Sequence, residues 1–284
     1  MDVIPTVADL RQRRLELTGP VALVPTMGAL HEGHLALIRR AREIANHVIV
    51  SIFVNPTQFG PGEDLDRYPR TLDADLASCQ ELEVDLVFAP AIEQMYPAEQ
   101  VDTAIDVPAL TTILEGAQRP GHFAGVCRVC AKLFNMTQPD VACFGQKDYQ
   151  QLAVIDAMVR DLAMPVTIES VATVREPDGL ALSSRNRYLG DEQRSHALGL
   201  IKALRQAKML VEDEGETDPI AVEQAMTETM TAHRLDVDYA AVRHPQTLAE
   251  LDIIEPSLTG GVVALVAARL GGVRLIDNMQ LALD

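Results

Sequence analysis

At 284 residues the chain is long enough for one large or two ordinary domains, each of roughly 100 to 200 residues. Its formal net charge of −17 excludes the broad basic surface that neutralising nucleic-acid phosphates requires, so small-molecule chemistry is the expected class. Met1-Asp2-Val3-Ile4-Pro5 carries neither a basic segment nor a signal-type apolar core, and no apolar run approaches the roughly 20 residues that span a bilayer; the expectation is a soluble cytoplasmic protein with no membrane partner.

In chain order, Val21-Ala22-Leu23-Val24 reads as a buried strand, and Leu35, Ile38, Ala41 and Arg42 then recur at helical spacing. The ten residues Pro25 to His34 therefore fall on a strand-to-helix turn. In an open parallel sheet such a turn lies at the carboxyl end of a strand, where helix amides and the helix dipole favour an anion. His47 to Val54 predicts a second buried strand, followed by a loop through Asn55-Pro56-Thr57-Gln58. A helix from about Leu72 to Leu82 precedes the strand Asp85 to Phe88, a helix around Cys127 precedes Val141 to Phe144, and a helix after Asp148 precedes Val166 to Glu169. This alternation predicts an α/β fold with a Rossmann-like, doubly wound parallel sheet over residues 1–173.

From about residue 174 the rhythm changes. Helices over roughly 191–211 and 219–232 are followed by Leu235 to Tyr239, whose strict alternation suits a half-solvated strand, and by the apolar run Val262 to Ala267. These predict a smaller α+β domain over residues 174–284. The acidic stretch Glu212-Asp213-Glu214-Gly215-Glu216 reads as a solvated interhelix loop.

Four cysteines, Cys79, Cys127, Cys130 and Cys143, are too few for a disulfide framework. Cys127 and Cys130 have the Cys-x-x-Cys spacing of a redox pair or half a zinc site, but Val126, Val129, Cys130, Leu133 and Phe134 trace one helical apolar face, which favours reduced core cysteines. Neither the G-x-x-x-x-G-K-[ST] nor the G-x-G-x-x-G phosphate loop is present. A nucleotide bound at the sheet edge must use another device, and His31-Glu32-Gly33-His34 supplies one: Gly33 lets the backbone come close while both imidazoles donate hydrogen bonds to phosphate. As a zinc half-site, the same pair lacks a third ligand at fitting spacing.

The His-x-Gly-His segment resembles the signature of the nucleotidyltransferase superfamily that includes the class I aminoacyl-tRNA synthetases. Its longer context is similar to the pantoate–β-alanine ligase family. The likeness is carried by Pro25 to His34, Ser51 to Phe59, Tyr68-Pro69-Arg70-Thr71, Arg119-Pro120-Gly121-His122-Phe123, Phe144 to Gln151, and Leu182-Ser183-Ser184-Arg185-Asn186, in the family's order.

The resemblance implies a two-step ligase. Pantoate carboxylate attacks the α-phosphate of ATP to give pantoyl adenylate and pyrophosphate, and β-alanine then displaces AMP. It assigns ATP binding to Met27, Gly28, Ala29, Leu30, His31, Glu32, Gly33 and His34, to Gly145, Gln146, Lys147 and Asp148, and to Val174, Leu182, Ser183, Ser184 and Arg185. Within that set His34, His31, Lys147 and Arg185 are the expected catalytic residues. Gln58, Gln151 and Asn55 are the pantoate candidates, since neutral amides bond hydroxyls and a carboxylate without adding negative charge, and Gln58 is also the β-alanine candidate. Mg²⁺ and a homodimer are implied as well. The metal ligands stay open, with Asp75 and neighbouring Asp73 as carboxylates that could help, because Mg²⁺ relies largely on substrate phosphates and water.

Two positions depart from the family pattern: Ala124 stands where arginine is expected, and Gln146 where glutamate is frequent. Two other functions remain open at this point. One is a nucleotidyltransferase of the same superfamily acting on a phosphorylated acceptor, for which the neutral Asn55, Gln58 and Gln151 set is a poor pocket; the other is a nucleotide-binding regulator without catalysis.

Overall fold

The fold is described from a computed structural model, which describes residues 1–99 and 101–283. It divides into two compact units, one of residues 1–146 and 150–172, the other of residues 147–149 and 173–284.

The first unit contains strands β1 (Asp2–Ile4), β2 (Val21–Thr26), β3 (His47–Ile52), β4 (Leu86–Phe88), β5 (Val141–Gly145) and β6 (Thr167–Val171). Its helices are α1 (Val7–Glu16), α2 (Glu32–Ile44), α3 (Leu72–Glu81), the short α4 (Ile92–Met95), α5 (Pro108–Thr111) and α6 (Glu115–Gln118), then α7 (His122–Thr137) and most of α8 (Tyr149–Asp161). The sheet order is β1-β4-β3-β2-β5-β6, with every neighbour parallel. The doubly wound parallel sheet expected from the alternating pattern is therefore present.

Val21, Ala22, Leu23 and Val24 of β2 are fully buried, as a central strand covered on both faces requires. From β2 the chain moves outward to β3 and β4, then crosses back to place β5 on the other side of β2. The strand order reverses at β2 and β5, the position at which open α/β sheets form a ligand crevice outside their carboxyl ends. Helix α2 packs Leu37, Ile38 and Ala41 against Ala22, Val24, Val48, Val50 and Cys143, each large side chain contributing about 1.5–3 kcal/mol by its burial. Leu35 and Arg42 of the expected apolar stripe are only half-buried. Three-residue β1 gives too short a pattern for periodicity to reveal; it is found through its pairing with β4.

The second unit has α9 (Asp191–Ala197), α10 (Gly199–Lys208) and α11 (Pro219–Ala232), packed on an antiparallel sheet of β7 (Asp236–Arg243), β8 (Val262–Leu270) and β9 (Val273–Leu281). The single helix expected over 191–211 is broken at Leu198; Gly199, which opens α10, packs so close to His233 that a Cβ there would lie 2.6 Å from the His233 Cβ. A π turn, Met209–Asp213, extends α10. Glu212 is accordingly not a solvated loop residue: it pairs with Lys208 and accepts from the Ala282 amide. The even alternation expected in β7 is interrupted by a register shift between Val237 and Tyr239, where Asp238 turns to Arg269 and Arg274.

All four cysteines are buried thiols, and burial pushes Cys79 up to about 11, Cys127 and Cys143 to about 12, and Cys130 further. Such thiols are poor nucleophiles and poor metal ligands at neutral pH. Cys127→Ser should keep catalytic turnover within about twofold, as expected for a packing residue; a loss of about tenfold or more in a folded variant would restore the redox or metal reading.

Candidate active site

The β2–α2 turn is shaped by a need to satisfy its own backbone. Gly28 (φ +80°) and Ala29 (φ +51°) take the left-handed conformation that reverses the chain after β2. The Gly28 amide donates to Thr26 Oγ1 (3.1 Å), the Ala29 amide to Asp75 Oδ2 (3.0 Å) and the Leu30 amide to Asp75 Oδ1 (2.8 Å). Thr71 Oγ1 also donates to Asp75, which is 2% exposed. Asp75, from the first turn of α3, thus holds two successive amides of the turn. Both of its oxygens accept hydrogen bonds from the turn, so its first role is to hold that backbone. Asp73, the other carboxylate considered, is exposed.

His31 and His34 cap α2 reciprocally. His31 Nδ1 accepts from the Gly33 amide (3.2 Å), while His34 Nδ1 accepts from the His31 amide (3.3 Å). An accepting Nδ1 in a neutral ring places the proton on Nε2, so each imidazole presents an N–H donor at its far side. The rings lie 4.1 Å apart, centroid to centroid. A Cβ on Gly33 would meet the His31 ring at 2.9 Å, which explains the glycine between them. The amides of Gly28, Ala29, Leu30, His31 and Gly33 all have acceptors within the protein. Glu32 pairs with Arg39 along the helix surface. Met27 is half-buried at the strand end.

A second cluster forms after β3. Asn55 is 1% exposed; its Nδ2 donates to Gln58 Oε1 (2.9 Å) and Gly125 O (3.2 Å), and its Oδ1 accepts from Thr57 and from Tyr96 OH. With both ends of its amide bonded within the protein, Asn55 braces the turn that carries Gln58. The Asn55 bond fixes the Gln58 amide with its oxygen inward, leaving the NH₂ end as the outward donor. Helix α7 clamps the same turn from behind, where a Cβ on Gly125 would lie 2.3 Å from Thr57 O.

The Gln58 carbonyl accepts from His122 Nδ1 (2.8 Å) and Arg119 Nη2 (3.4 Å). Arg119 in turn makes a bidentate pair with Glu63, 2.7 Å on both arms, and approaches His122 Nε2 at 3.1 Å. Arg119 holds the Glu63 carboxyl below its usual range. Desolvation and then the adjacent Arg119 charge push His122 down to about 4, so it is a neutral ring that donates through Nδ1 and accepts through Nε2. Sequence reading quoted Arg119 and His122 only as part of a motif; their spacing alone gives no sign that they hold Gln58.

Gly145 ends β5 beside β6, and Gln146 follows it. On α8, buried Gln150 is consumed by the α5–α6 connection, accepting from Glu115 N and donating to Leu110 O and Ile113 O. Gln151 next to it is half-buried. Ala124, where a charge was expected, is half-buried in the first turn of α7.

In the second unit, Lys147 and Asp148 share one 3-10 turn, Nζ lying 3.4 Å from Asp148 Oδ1. Val174 O accepts from Leu182 N (3.0 Å), joining two of the expected ATP residues. Ser183 Oγ accepts from the Arg185 amide (3.3 Å) and caps a 3-10 turn over Ser184–Tyr188. Asn186 braces that turn by donating to Glu176 Oε1 (2.7 Å), and Arg194 holds Glu176 from the other side, keeping its carboxyl below the ordinary range.

A family model described as pantoate-beta-alanine ligase matches residues 2–280. The chain is 51% identical over 279 residues to a pantothenate synthetase of Acidothermus cellulolyticus, covering 98% of this chain and 91% of that one. Among solved structures, a pantothenate synthetase from Thermus thermophilus superposes with a TM-score of 0.91 at 48% identity, covering 99% of this chain and 100% of the other. A pantoate-beta-alanine ligase from Francisella tularensis, described as complexed with beta-gamma ATP and beta-alanine, matches at 33% identity with a TM-score of 0.80 over 99% of this chain and 97% of the relative.

Two outcomes are expected from these bonds. Asp75→Asn leaves one turn amide facing an NH₂ group, so chemical denaturation should show a loss of about 1.5–3 kcal/mol; an unchanged midpoint would mean the clamp carries no load. For His122, the unfolded ring titrates near 6.5 and the folded ring near 4, so the unfolded state binds more protons between those values and stability falls as pH drops through that window. His122→Asn should flatten this part of the stability profile relative to the parent, and an identical slope would refute the neutral assignment.

Proposed function

The chain belongs to the pantoate–β-alanine ligase family, and we infer that it condenses pantoate with β-alanine to pantothenate through a pantoyl-adenylate intermediate, releasing AMP and pyrophosphate. The observation that carries the reading is the reciprocal capping of α2, which turns both Nδ1 atoms of His31 and His34 inward and gives each ring an Nε2–H donor. A pantoate carboxylate is already ionised at neutral pH, so its attack on the α-phosphate needs no general base. The need is for in-line placement and for donors where negative charge accumulates.

In the first unit, the segment Met27 to His34 binds ATP, with His34 and His31 as phosphate donors and Gly145 and Gln146 at the neighbouring strand end. In the second, Lys147, Ser183, Ser184 and Arg185 bond the phosphates, Asp148 accompanies Lys147, the backbone of Val174 borders the adenine, and Leu182 completes the ATP set. Gln58 presents its NH₂ to pantoate and later to β-alanine, and Gln151 completes the pantoate set. Support for Gln58 comes from its amide orientation, fixed by Asn55, and from His122, which holds the Gln58 carbonyl and with it the turn. Mg²⁺ would neutralise ATP phosphates and be held mainly by those phosphates and water, since Asp75 is committed to backbone amides. The enzyme acts as a cytoplasmic homodimer, as the family resemblance implies.

Incubating the protein with ATP, Mg²⁺ and pantoate, without β-alanine, should release pyrophosphate and leave a bound acyl adenylate that β-alanine then converts with release of AMP. No pyrophosphate under these conditions would redirect the search to phosphorylated acceptors. His34→Ala and Lys147→Ala should each slow adenylate formation by about 10²-fold or more, the scale of losing one preorganised donor, and near-parental rates in both would sink the assigned roles. Gln58→Ala should raise the pantoate KM; an unchanged KM would remove Gln58 from the pocket.

A further inference from the structure

Asp277 and Asn278 form a buried polar pair on β9, beside the most apolar strand of its sheet. Strand β8, their partner in the ladder, is buried almost throughout from Val262 to Ala268, and Asp277 and Asn278 stand opposite Val266 and Leu265 near its middle. Asp277 is 3% and Asn278 6% exposed. Burying such groups is unfavourable unless their bonds are complete, and the bonds here lead to one place. Arg175 donates to both Asp277 oxygens, at 2.6 and 3.0 Å, and also to Asn278 O (3.2 Å) and Gly179 O (3.2 Å). The Asn278 amide donates to Asp277 Oδ1 (2.8 Å), and Asn278 Nδ2 donates to the carbonyl of Lys147 (2.8 Å) across 131 residues of sequence. Two residues further along the strand, and so on the same face, Gln280 Nε2 reaches Tyr149 OH at 3.3 Å, which itself donates to Pro245 O (2.9 Å). These bonds are why residues 147–149 belong to the second unit although β5 and the rest of α8 belong to the first.

We propose that Asn278, locked in place by Asp277 and Arg175, is the positioning residue for Lys147. The inference rests on the phosphate-binding role assigned to Lys147 above and adds what places it. Lys147 lies in a three-residue 3-10 turn, a form with weak internal hydrogen bonds. Its side chain has four torsions, and its Nζ approaches Asp148 only at 3.4 Å, so little in its own turn defines where the ammonium stands. Holding its carbonyl from the middle of a strand paired along its length restricts the backbone from which the side chain extends. A site group set by a rigid strand is placed more accurately than one set by its own loop, and a misplacement of about 1 Å can cost on the order of 10²-fold in rate.

The test is a double-mutant cycle read by single-turnover adenylate formation, with ATP and pantoate dependence and thermal melting measured on the same proteins. Asn278→Ala should slow adenylate formation about tenfold and leave the pantoate KM unchanged. In a Lys147→Ala background the same substitution should add less than about twofold, because a residue that acts only through Lys147 has nothing left to place. Asn278→Asp, equal in size but unable to donate to the carbonyl, should be at least as slow as alanine. Should Asn278→Ala fail to fold, Asn278→Ser, which keeps a donor on a shorter arm, replaces it in the cycle with the same expected non-additivity. Losses that add in the Lys147→Ala background, or an Asn278→Ala variant at the parental rate beside a crippled Lys147→Ala, overturn this inference alone. Lys147→Ala at the parental rate overturns the parent reading and the inference with it.

Discussion

A buried backbone N–H without an acceptor costs about as much as a lost hydrogen bond, and the β2–α2 turn is organised around avoiding that cost. Gly28 and Ala29 bend the chain through left-handed conformations, which turns their amides and that of Leu30 back into the protein, where Thr26 and Asp75 receive them. His31 and His34 then satisfy the next amides through Nδ1. The consequence is chemical: once each ring accepts on one side, it donates on the other. The placement of both imidazoles thus follows from the backbone they cap, at a sheet position where the strand order reverses.

A similar economy of charge governs the Gln58 turn. The chain as a whole is acidic, with a net charge of −17, and two of the substrates inferred for it, ATP and pantoate, are anions. Close to Gln58 the structure uses a neutral amide, a neutral imidazole and an arginine whose charge is met by Glu63. Desolvation keeps His122 uncharged, and that neutrality makes it an acceptor for Arg119 as well as a donor to Gln58 O. A protonated ring would lose the first of these bonds and face a second positive charge at hydrogen-bonding distance.

The features legible in the sequence were those with strong periodicity or a dense local motif. Buried β2 and β3, the apolar face of α7 and the His-x-Gly-His turn all have their cause in neighbouring stretches of sequence. What escaped depended on distant partners. That Asp75 holds the amides of Ala29 and Leu30, and that Asn55 is bonded to Tyr96 and Gly125, is not legible from the spacing of these residues. The close packing of Gly199 on His233 likewise joins residues that no helical pattern connects. Strand β9 did have a local signal: Gly271 and Gly272, both at positive φ between the paired residues Leu270 and Val273, form a two-residue hairpin turn of the type that glycine pairs favour. Reading it would have extended β8 and exposed Asp277 and Asn278.

The 131-residue separation between Lys147 and the side chain that holds its carbonyl also orders events in time. On a ribosome adding about 5–20 residues per second, Lys147 emerges several seconds to nearly half a minute before Asn278 is made. The parallel sheet of the first unit needs nothing beyond residue 172 for its strand pairing, so a nascent chain is able to assemble the histidine turn well before its lysine is anchored. On the role proposed for Lys147, competence for adenylation arrives late in synthesis, with the pairing of β9 onto β8.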